Sequence, residues 1–460
     1  MKQTYNPFVA SFDDVTVEDL VVLRTVHEGW YIEYKEAVPN PSSIAKSVSA
    51  FANTHGGYLF YGIKEKSKVD NVAGDFPGIT LGDLEPMRER IRQAIAAHCA
   101  PAPHFDLRIL SGPCDAIGLL ADHFIICIQV PWSARAPHVH KNGVIYRRVS
   151  DSSEPSPEND RHALGELFKR QDSLLSMYRS WYEADPEFSE REVGQPYLRL
   201  LIIPDPWRQR DPWLSLPTAD IGRLFNPDGE PITLPFDSIY STRDGIIARQ
   251  TKGNSLESLT LTWALRRDLT SEILIPIPCL KDSPAHDIEC DLAGYDQEAR
   301  FLALLKNHKY ESLWILDLNQ LYLIFLGIFD TLERLLMALE WEHGLSATFK
   351  ILNADRACPF LDLESVMSGY EKTGIPVALN FLSALREHHH PDSFLDFQKH
   401  DENGEVMAPE TNAAILMLYV ARRFGISLWE DNDEDNGMFD ALRLAGDRSL
   451  MAQTLRNDKR

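Results

Sequence analysis

Residues 28–65 constrain the fold of this chain more than any other stretch, because strand and helix patterns follow one another there without interruption. Residues 30–35 are aromatic and β-branched, which is typical of a β-strand. Apolar residues then recur at helical spacing, until Gly56-Gly57 offers the left-handed turn that ends many helices. A second strand is predicted from Tyr58 to Ile63. The stretch therefore predicts a strand–helix–strand unit.

Charged residues lie at the strand ends of this unit. Because side chains alternate along a strand, Glu33 and Lys35 project from one face of the first strand, and Glu28 directly precedes it. Glu65 follows the second strand. On spacing alone, glutamates of an amphipathic strand are more often solvated charges than ligands. The pattern nonetheless predicts three carboxylates and a lysine at one edge of the unit.

Several motifs in this part of the chain resemble the Schlafen-type AlbA-like domain. The resemblance covers about residues 15–175 and rests on motifs that recur in the family's order. These motifs are Glu28-x4-Glu33-x-Lys35, the helix end Ser49-Ala50-Phe51-Ala52-Asn53-Thr54-x-Gly56-Gly57, the strand Tyr58-Leu59-Phe60-Tyr61-Gly62-Ile63, and the closing Gly143-x-x-Tyr146-x-Arg148 within His138–Val149. An acidic-x-Lys strand also occurs in restriction-type nucleases, but the helix end and glycine pair favour the Schlafen type.

The resemblance implies that Glu28, Glu33 and Glu65 occupy the acidic triad of Schlafen nucleases. Clustered carboxylates repel one another unless a cation lies between them, and Mg²⁺ or Mn²⁺ prefers oxygen ligands. Such an ion binds a phosphate oxygen and activates water, while Lys35 offsets charge on the scissile phosphate. The family's third acid is usually Asp, so Glu65 departs from the pattern and Asp70 competes with it. A rigid strand end favours Glu65.

A second candidate site is a local basic cluster in the closing motif. It contains Lys141, Arg147 and Arg148, together with His138 and His140. A solvated strand with a few salt bridges explains such a cluster as well as a binding site does. As a functional site, it predicts contacts to the phosphates of a nucleic acid, which position the strand without reading its sequence.

The net charge of −22 is unevenly distributed. Residues 1–170 contain 18 basic and 21 acidic residues, whereas the remainder contains 28 basic and 47 acidic residues. An acidic surface repels nucleic acid at long range, so any contact with nucleic acid belongs to a local groove in the N-terminal part. No apolar run is long enough for a membrane helix, and the N-terminus has no hydrophobic signal core. Six cysteines without a Cys-x-x-Cys pair favour a reducing, cytoplasmic setting.

The predicted fold class is α+β. A Schlafen AlbA-like mixed-sheet domain is expected at 1–180, a strand-rich middle region at 190–295 and a mainly helical region at 296–460. Within the last region, 376–388 is predicted to be helical, His388-His389-His390 to be a solvated helix end, and 430–436 to be an acidic surface loop.

The resemblance predicts a prokaryotic-type Schlafen relative without a helicase region, and the sequence contains no Gly-x4-Gly-Lys-Ser/Thr phosphate loop. The function it implies is RNA binding with metal-dependent endoribonuclease cleavage of structured RNA such as tRNA, in a stress or antiviral role. The first alternative is a non-catalytic DNA- or RNA-binding regulator, and the second is an adaptor whose acidic C-terminal part binds a protein. Only one AlbA-like lobe is recognised, so a homodimer is expected to supply a second.

Overall fold

The computed structural model divides the chain into two compact units. Unit 1 contains residues 1–178 and 207–211, and unit 2 contains residues 179–206 and 212–460. The structure describes residues 5–10, 12–67, 69–80, 82, 84–149, 154–190, 192, 194–207, 216–227, 233–251, 259–281, 288–308, 314–339, 341, 344–378, 389–397, 407–426 and 436–459. Most of the predicted helix at 376–388, His388 and nearly all of the acidic loop at 430–436 lie outside these described residues.

Unit 1 is an α+β unit, as predicted, and its described residues form short strands and three α-helices. Two 3₁₀ helices, Phe12–Asp14 and Glu18–Thr25, precede the first strand. The strands are β1 (Ile32–Lys35), β2 (Gly57–Tyr61), β3 (Lys64–Glu65), β4 (Ala73–Asp75), β5 (Ile79–Thr80), β6 (Cys99–Ala100), β7 (Asp106–Ser111), β8 (His123–Val130), β9 (Val139–His140), β10 (Tyr146–Arg147) and β11 (Ser156–Pro157). The helices are α1 (Pro41–Asn53), α2 (Leu84–His98) and α3 (Arg161–Glu183), the last of which ends beyond the boundary of the unit.

The main sheet of unit 1 is mixed, which confirms the prediction. β1 and β2 are parallel, with Glu33 paired to Leu59, and β8 is antiparallel to β2, β5 and β7. Parallel neighbours need a crossover, and α1 provides it between β1 and β2. Short ladders join β3 to β4, β6 to β9 and β10 to β11.

The two faces of this sheet bury different apolar clusters, as the alternation in β1 predicts. One face contributes Ile32 and Tyr34 to a cluster with residues of the N-terminal segment. The other face packs under α1 and α2, which contribute residues such as Phe51 and Ile91. Glu33 belongs to the helix-covered face, where its side chain is 2% exposed. Packing of α1 on the sheet therefore removes the carboxylate of Glu33 from water.

The turn from α1 into β2 depends on a glycine. Gly56 has a φ of 74°, and a Cβ atom there would lie 2.6 Å from the carbonyl oxygen of Val130 and 2.7 Å from the amide of Trp132. Only glycine accepts both this backbone conformation and this close approach. The predicted left-handed turn is therefore present, and it fixes the start of β2 against the end of β8.

Unit 2 contains a seven-stranded antiparallel sheet, a three-stranded sheet and several helices. The large sheet has the order β13-β14-β15-β16-β12-β19-β21, and the small sheet has the order β17-β18-β20. The strands are β12 (Tyr197–Ile203), β13 (Ser238–Ser241), β14 (Gly245–Arg249), β15 (Thr262–Arg266), β16 (Ser271–Pro276), β17 (Cys279–Lys281), β18 (Trp314–Asp317), β19 (Leu345–Leu352), β20 (Ala357–Phe360) and β21 (Leu395–Phe397). The helices are α4 (Thr218–Phe225), α5 (Ile288–Leu292), α6 (Glu298–His308), α7 (Leu318–Ala338), α8 (Glu364–Thr373), α9 (Pro409–Arg423) and α10 (Asn436–Lys459), with a 3₁₀ turn at Pro391–Ser393.

Strand β12 of the large sheet connects the two C-terminal regions that the sequence distinguishes. β12 pairs with β16 on one side and with β19 on the other. One apolar cluster extends from Leu198 to Ala445. Within the described residues, no helix is both long and apolar enough to cross a membrane.

Candidate functional site

β1 directs Glu33 and Lys35 toward α1, and the two side chains lie together. Lys35 Nζ is 3.4 Å from Glu33 Oε1, and Ser47 of α1 donates a hydrogen bond of 3.0 Å to the same oxygen. The side chain of Lys35 is 35% exposed, so this cation reaches the solvent. One carboxylate oxygen of Glu33 thus has a hydroxyl donor and a surface lysine.

The second oxygen of Glu33 binds Arg148. Arg148 Nη1 lies 2.8 Å from Glu33 Oε2, and both side chains are buried. The same guanidinium donates to the carbonyl of Gly29 through Nε at 3.1 Å and Nη2 at 2.6 Å, and it stacks over the ring of Phe51. Burial lowers the pKa of Arg148, and the charge of Glu33 opposes this shift. Arg148 therefore acts as the internal counterion of Glu33.

The helix-end motif positions Arg148. Asn53 Nδ2 donates to the carbonyls of His138 and Tyr146, while its Oδ1 accepts from the amide of His138. The hydroxyl of Thr54 accepts from the amide of Arg148 at 2.8 Å. The Asn53-Thr54 pair at the end of α1 therefore fastens the closing segment, and this explains physically why the two motifs occur together.

Glu28 is buried beside this ion pair and is only partly satisfied. Its side chain accepts a hydrogen bond from the amide of Tyr34 through Oε1, whereas Oε2 is buried and has no hydrogen-bond partner among the residues that the structure describes. Burial is the main cause that raises the pKa of Glu28 to about 8; the charges of Glu65 and Glu33 add to the rise, and the Tyr34 amide and Lys35 oppose it. We name Glu28, Glu33, Lys35 and Arg148 the Glu28–Arg148 centre.

Glu65 lies near this centre, whereas Asp70 is bound elsewhere. Glu65 ends β3, which pairs with β4, and its charge acts on Glu28. Asp70 forms an exposed ion pair of 2.7 Å with Lys66, whose hydrogen bond lowers the pKa of Asp70. The arrangement brings Glu65 rather than Asp70 toward Glu28.

These carboxylates do not form the predicted metal-ligand set. Among the residues that the structure describes, no group of three His, Cys, Asp or Glu side chains is arranged to hold a metal ion. Glu33 uses one oxygen for Arg148 and the other for Ser47 and Lys35. The arrangement in this structure does not fit Mg²⁺ or Mn²⁺, because Arg148 already supplies the positive charge that the ion would bring.

The predicted basic cluster is dispersed. Lys141 is exposed, whereas Arg147 pairs with Glu158 at 2.8 Å and Arg148 is buried. His140 is also buried, with Nε2 near the hydroxyl and carbonyl oxygens of Ser42. A phosphate-binding role for these residues stays a prediction.

The sequence analysis missed the pairing of Arg148 with Glu33, although the signal was present. In an alternating strand, Arg147 and Arg148 face opposite ways, so one of them enters the interior. A buried arginine is expected to be paired with a carboxylate, and Glu33 was predicted on the face of its strand that it shares with Lys35.

Comparison with known proteins supports the assignment of a Schlafen-type AlbA-like domain to part of the chain. Residues 28–157 match the model of the family described as Schlafen, AlbA_2, so the predicted domain is present. A search of curated proteins found no match. One similar solved structure is the DIP2311 protein from Corynebacterium diphtheriae, at 20% identity and a TM-score of 0.21. The match covers 36% of this chain and 35% of that chain. The domain indicates nucleic-acid binding.

Proposed function

We propose that this protein is a nucleic-acid-binding protein, and that it binds through the Schlafen AlbA_2 domain without needing a divalent ion. The observation that carries this proposal is the engagement of both Glu33 oxygens by Arg148, Ser47 and Lys35. A phosphodiester backbone is repelled by uncompensated carboxylates. The domain resolves this conflict with its own cations.

The charge of the Glu28–Arg148 centre supports this reading. Glu33 is balanced by Arg148, and Lys35 supplies a further positive charge at the surface. The sum is zero when Glu28 is ionised and positive when it is protonated. In neither state does the centre have the strongly negative charge of three free carboxylates, so a phosphate can approach Lys35 directly.

Binding measured with and without chelator tests the proposal. Fluorescence anisotropy with single-stranded RNA, a tRNA-like structured RNA and duplex DNA should give the same affinity in EDTA and in Mn²⁺, and the affinity should fall with rising salt. Lys35→Gln should weaken binding several-fold. Lys372→Gln, an exposed lysine of α8 in unit 2, is the matched control. Affinity that disappears in EDTA contradicts the proposal.

The second candidate is a metal-dependent endoribonuclease that acts on structured RNA such as tRNA. The buried, unpartnered Oε2 of Glu28 favours it, because a cation would satisfy that oxygen. This candidate requires Glu33 to exchange Arg148 for the ion. Incubation of tRNA with the protein and Mn²⁺ on a denaturing gel tests it. If EDTA and Glu33→Gln each abolish cleavage, the nuclease replaces metal-independent binding as the proposed function. Binding without cleavage supports metal-independent binding.

A homodimer is a further part of this proposal. The family model matches one segment, 28–157, so a second copy of the chain would supply a second domain to a long nucleic acid. Light scattering across micromolar concentrations tests it, and a monomer mass throughout, with binding retained, contradicts it.

A further inference from the structure

Aromatic side chains lie together beside the end of α1, outside the residues that the function above uses. Trp30 is 36% exposed, and its ring centroid lies 5.5 Å from that of His55. The ring of Tyr31, which is half-buried like His55, lies 6.1 Å from His55 between centroids. A large aromatic side chain that stays at the surface beside a second ring presents a flat face to solvent.

A cation lies on a second ring of the same region, that of Trp132, which is half-buried. The guanidinium of Arg170, on α3, stacks 5.0 Å from the ring centroid of Trp132 and donates from Nη2 to the carbonyl of Thr54. Its Nη1 is buried, and no described residue accepts a hydrogen bond from it. Burial lowers the pKa of Arg170 to about 10, and the nearby charge of Arg147 adds to the shift. The guanidinium therefore places a positive charge on one face of the Trp132 ring.

Both ring systems are connected to residues 54–56 and to the Glu28–Arg148 centre. His55 belongs to this segment, Arg170 binds the carbonyl of Thr54, and Gly56 approaches the amide of Trp132. Arg148 donates to the carbonyl of Gly29, directly before Trp30. Hydrogen bonds of Arg148 and Arg170 therefore join the segments that carry these rings to the Glu28–Arg148 centre, whose solvent-exposed cation is Lys35.

We propose that Trp30, His55 and the Arg170–Trp132 pair form a stacking platform for the unpaired bases of a nucleic-acid strand whose backbone contacts the Glu28–Arg148 centre. This proposal rests on the proposed nucleic-acid binding and specifies its ligand as single-stranded. The faces of bases inside a duplex are covered by neighbouring base pairs, whereas unpaired bases stack on aromatic rings. Arg170 supplies the cation for an adjacent phosphate.

Anisotropy with three probes separates this platform from general binding. The probes are an unstructured RNA strand of about 12 nucleotides, the same strand with abasic residues, and a blunt RNA duplex. Trp30→Ala should weaken binding of the intact strand about tenfold and leave the abasic strand and the duplex unchanged. Trp30→Phe should restore most of the loss. Tyr240→Ala, which removes an exposed aromatic residue of unit 2, should have no effect.

Each other outcome has a definite meaning. Equal affinity of the wild type and Trp30→Ala for the intact strand overturns the platform but leaves nucleic-acid binding in place, and it favours a protein partner for these rings. An equal loss for all three probes, unrelieved by Trp30→Phe, also overturns it. If the wild type binds no probe even at low salt, the proposed function itself is wrong.

Discussion

Both units bury carboxylates in polar networks, but they satisfy them differently. In unit 2, Asp317 begins α7 and accepts hydrogen bonds from the amides of Asn319 and Gln320, the side chains of both residues, and the hydroxyl of Tyr295. Its two oxygens share five donors. Such a carboxylate is a helix cap and a junction between elements.

Asp362 in unit 2 follows the same rule. Its side chain accepts from the amides of Asp296 and Gln297 and from Nε of Arg448 at 2.6 Å, while its own amide donates to Asn319. The carboxylates of Asp317 and Asp362 are fully buried, and each of their oxygens has a donor. Nothing in this arrangement calls for a ligand.

Unit 1 differs in one buried carboxylate. Glu33 is as well satisfied as Asp362, but Oε2 of Glu28, beside the Glu33–Arg148 pair, is buried and no described residue donates to it. Buried polar atoms are nearly always paired, so an unpaired carboxylate oxygen beside several charges is a candidate for function. Burial of a charge alone therefore does not indicate a site, whereas an incompletely paired carboxylate does.

Removal of the internal counterion should have the largest effect. Arg148→Met leaves Glu33 buried without its cation, and we expect unit 1 to lose about 3–5 kcal/mol of unfolding free energy. Hydrogen exchange of the β1 and β2 amides in urea measures this loss. Arg147→Met, which breaks a less buried pair with Glu158, is the control and should cost about 1 kcal/mol or less. If the two variants cost the same, Arg148 is not the counterion that we infer.

The sequence predicts one part of this contrast between the units and not the rest. Alternation in residues 30–35 predicted that Glu33 and Lys35 share one face of the strand, because a period of two leaves little choice. It did not predict which face α1 covers, or that Arg148, more than 100 residues away, would be the counterion of Glu33. Such pairing depends on how the closing segment docks on Asn53 and Thr54, which is a tertiary contact. The networks of Asp317 and Asp362 likewise combine residues from distant elements and have no local signature.

Replacing a carboxylate by an amide should lower the unfolding free energy at a fully paired carboxylate and raise it at an incompletely paired one. Asp317→Asn removes acceptor capacity from several donors, and unit 2 should lose about 2–3 kcal/mol. Glu28→Gln should instead stabilise unit 1 by about 1–2 kcal/mol at pH 7. Burial raises the pKa of Glu28 to about 8 from 4.5, so the folded state binds a proton that the unfolded state has released. Its stability therefore falls as the pH rises through this window, and glutamine avoids the loss.

Hydrogen exchange resolved by unit distinguishes these effects, since a single unfolding midpoint is not defined for two units. A destabilising Glu28→Gln would show that Oε2 has a donor in solution. The contrast between the units would then be lost.

His138 allows a test within unit 1 of how a fully paired buried group behaves. It is buried, and both of its ring nitrogens have hydrogen-bond partners. Nδ1 lies 2.7 Å from the carbonyl of Pro101 and Nε2 lies 2.7 Å from the hydroxyl of Ser133. Burial lowers its pKa from 6.5 to about 4. The stability that this neutral ring contributes is present above about pH 6.5 and is lost as the pH falls toward 4. Between pH 7 and pH 5 the contribution of this ring should fall by about 2 kcal/mol. Glu28 changes the stability of unit 1 in the opposite direction over the same range, so the loss is measured as the difference between the wild type and His138→Gln.

The matched control is His104→Gln. His104 is half exposed and lies beside Asp106, so its replacement should leave the pH dependence of unit 1 unchanged. Hydrogen exchange of the unit 1 amides in urea, repeated at several pH values, compares the two variants. An unchanged slope in His138→Gln would mean that another buried group titrates over this range.

The smallest effect concerns the third carboxylate. Glu65 is partly exposed at the end of β3 and acts on Glu28 only through its charge, whereas Asp70 is engaged by Lys66 in the following turn. Glu65→Gln should therefore lower the pKa of Glu28, because a nearby negative charge is removed, while the fold and the Glu33–Arg148 pair stay intact. Asp70→Asn should leave the pKa of Glu28 unchanged. Carbon-13 NMR titration of the Glu28 carboxyl measures both. If Asp70→Asn shifts the pKa of Glu28 and Glu65→Gln does not, the third carboxylate of the triad is Asp70 in the turn. The family's usual Asp would then correspond to Asp70, and Glu65 would be an ordinary surface residue.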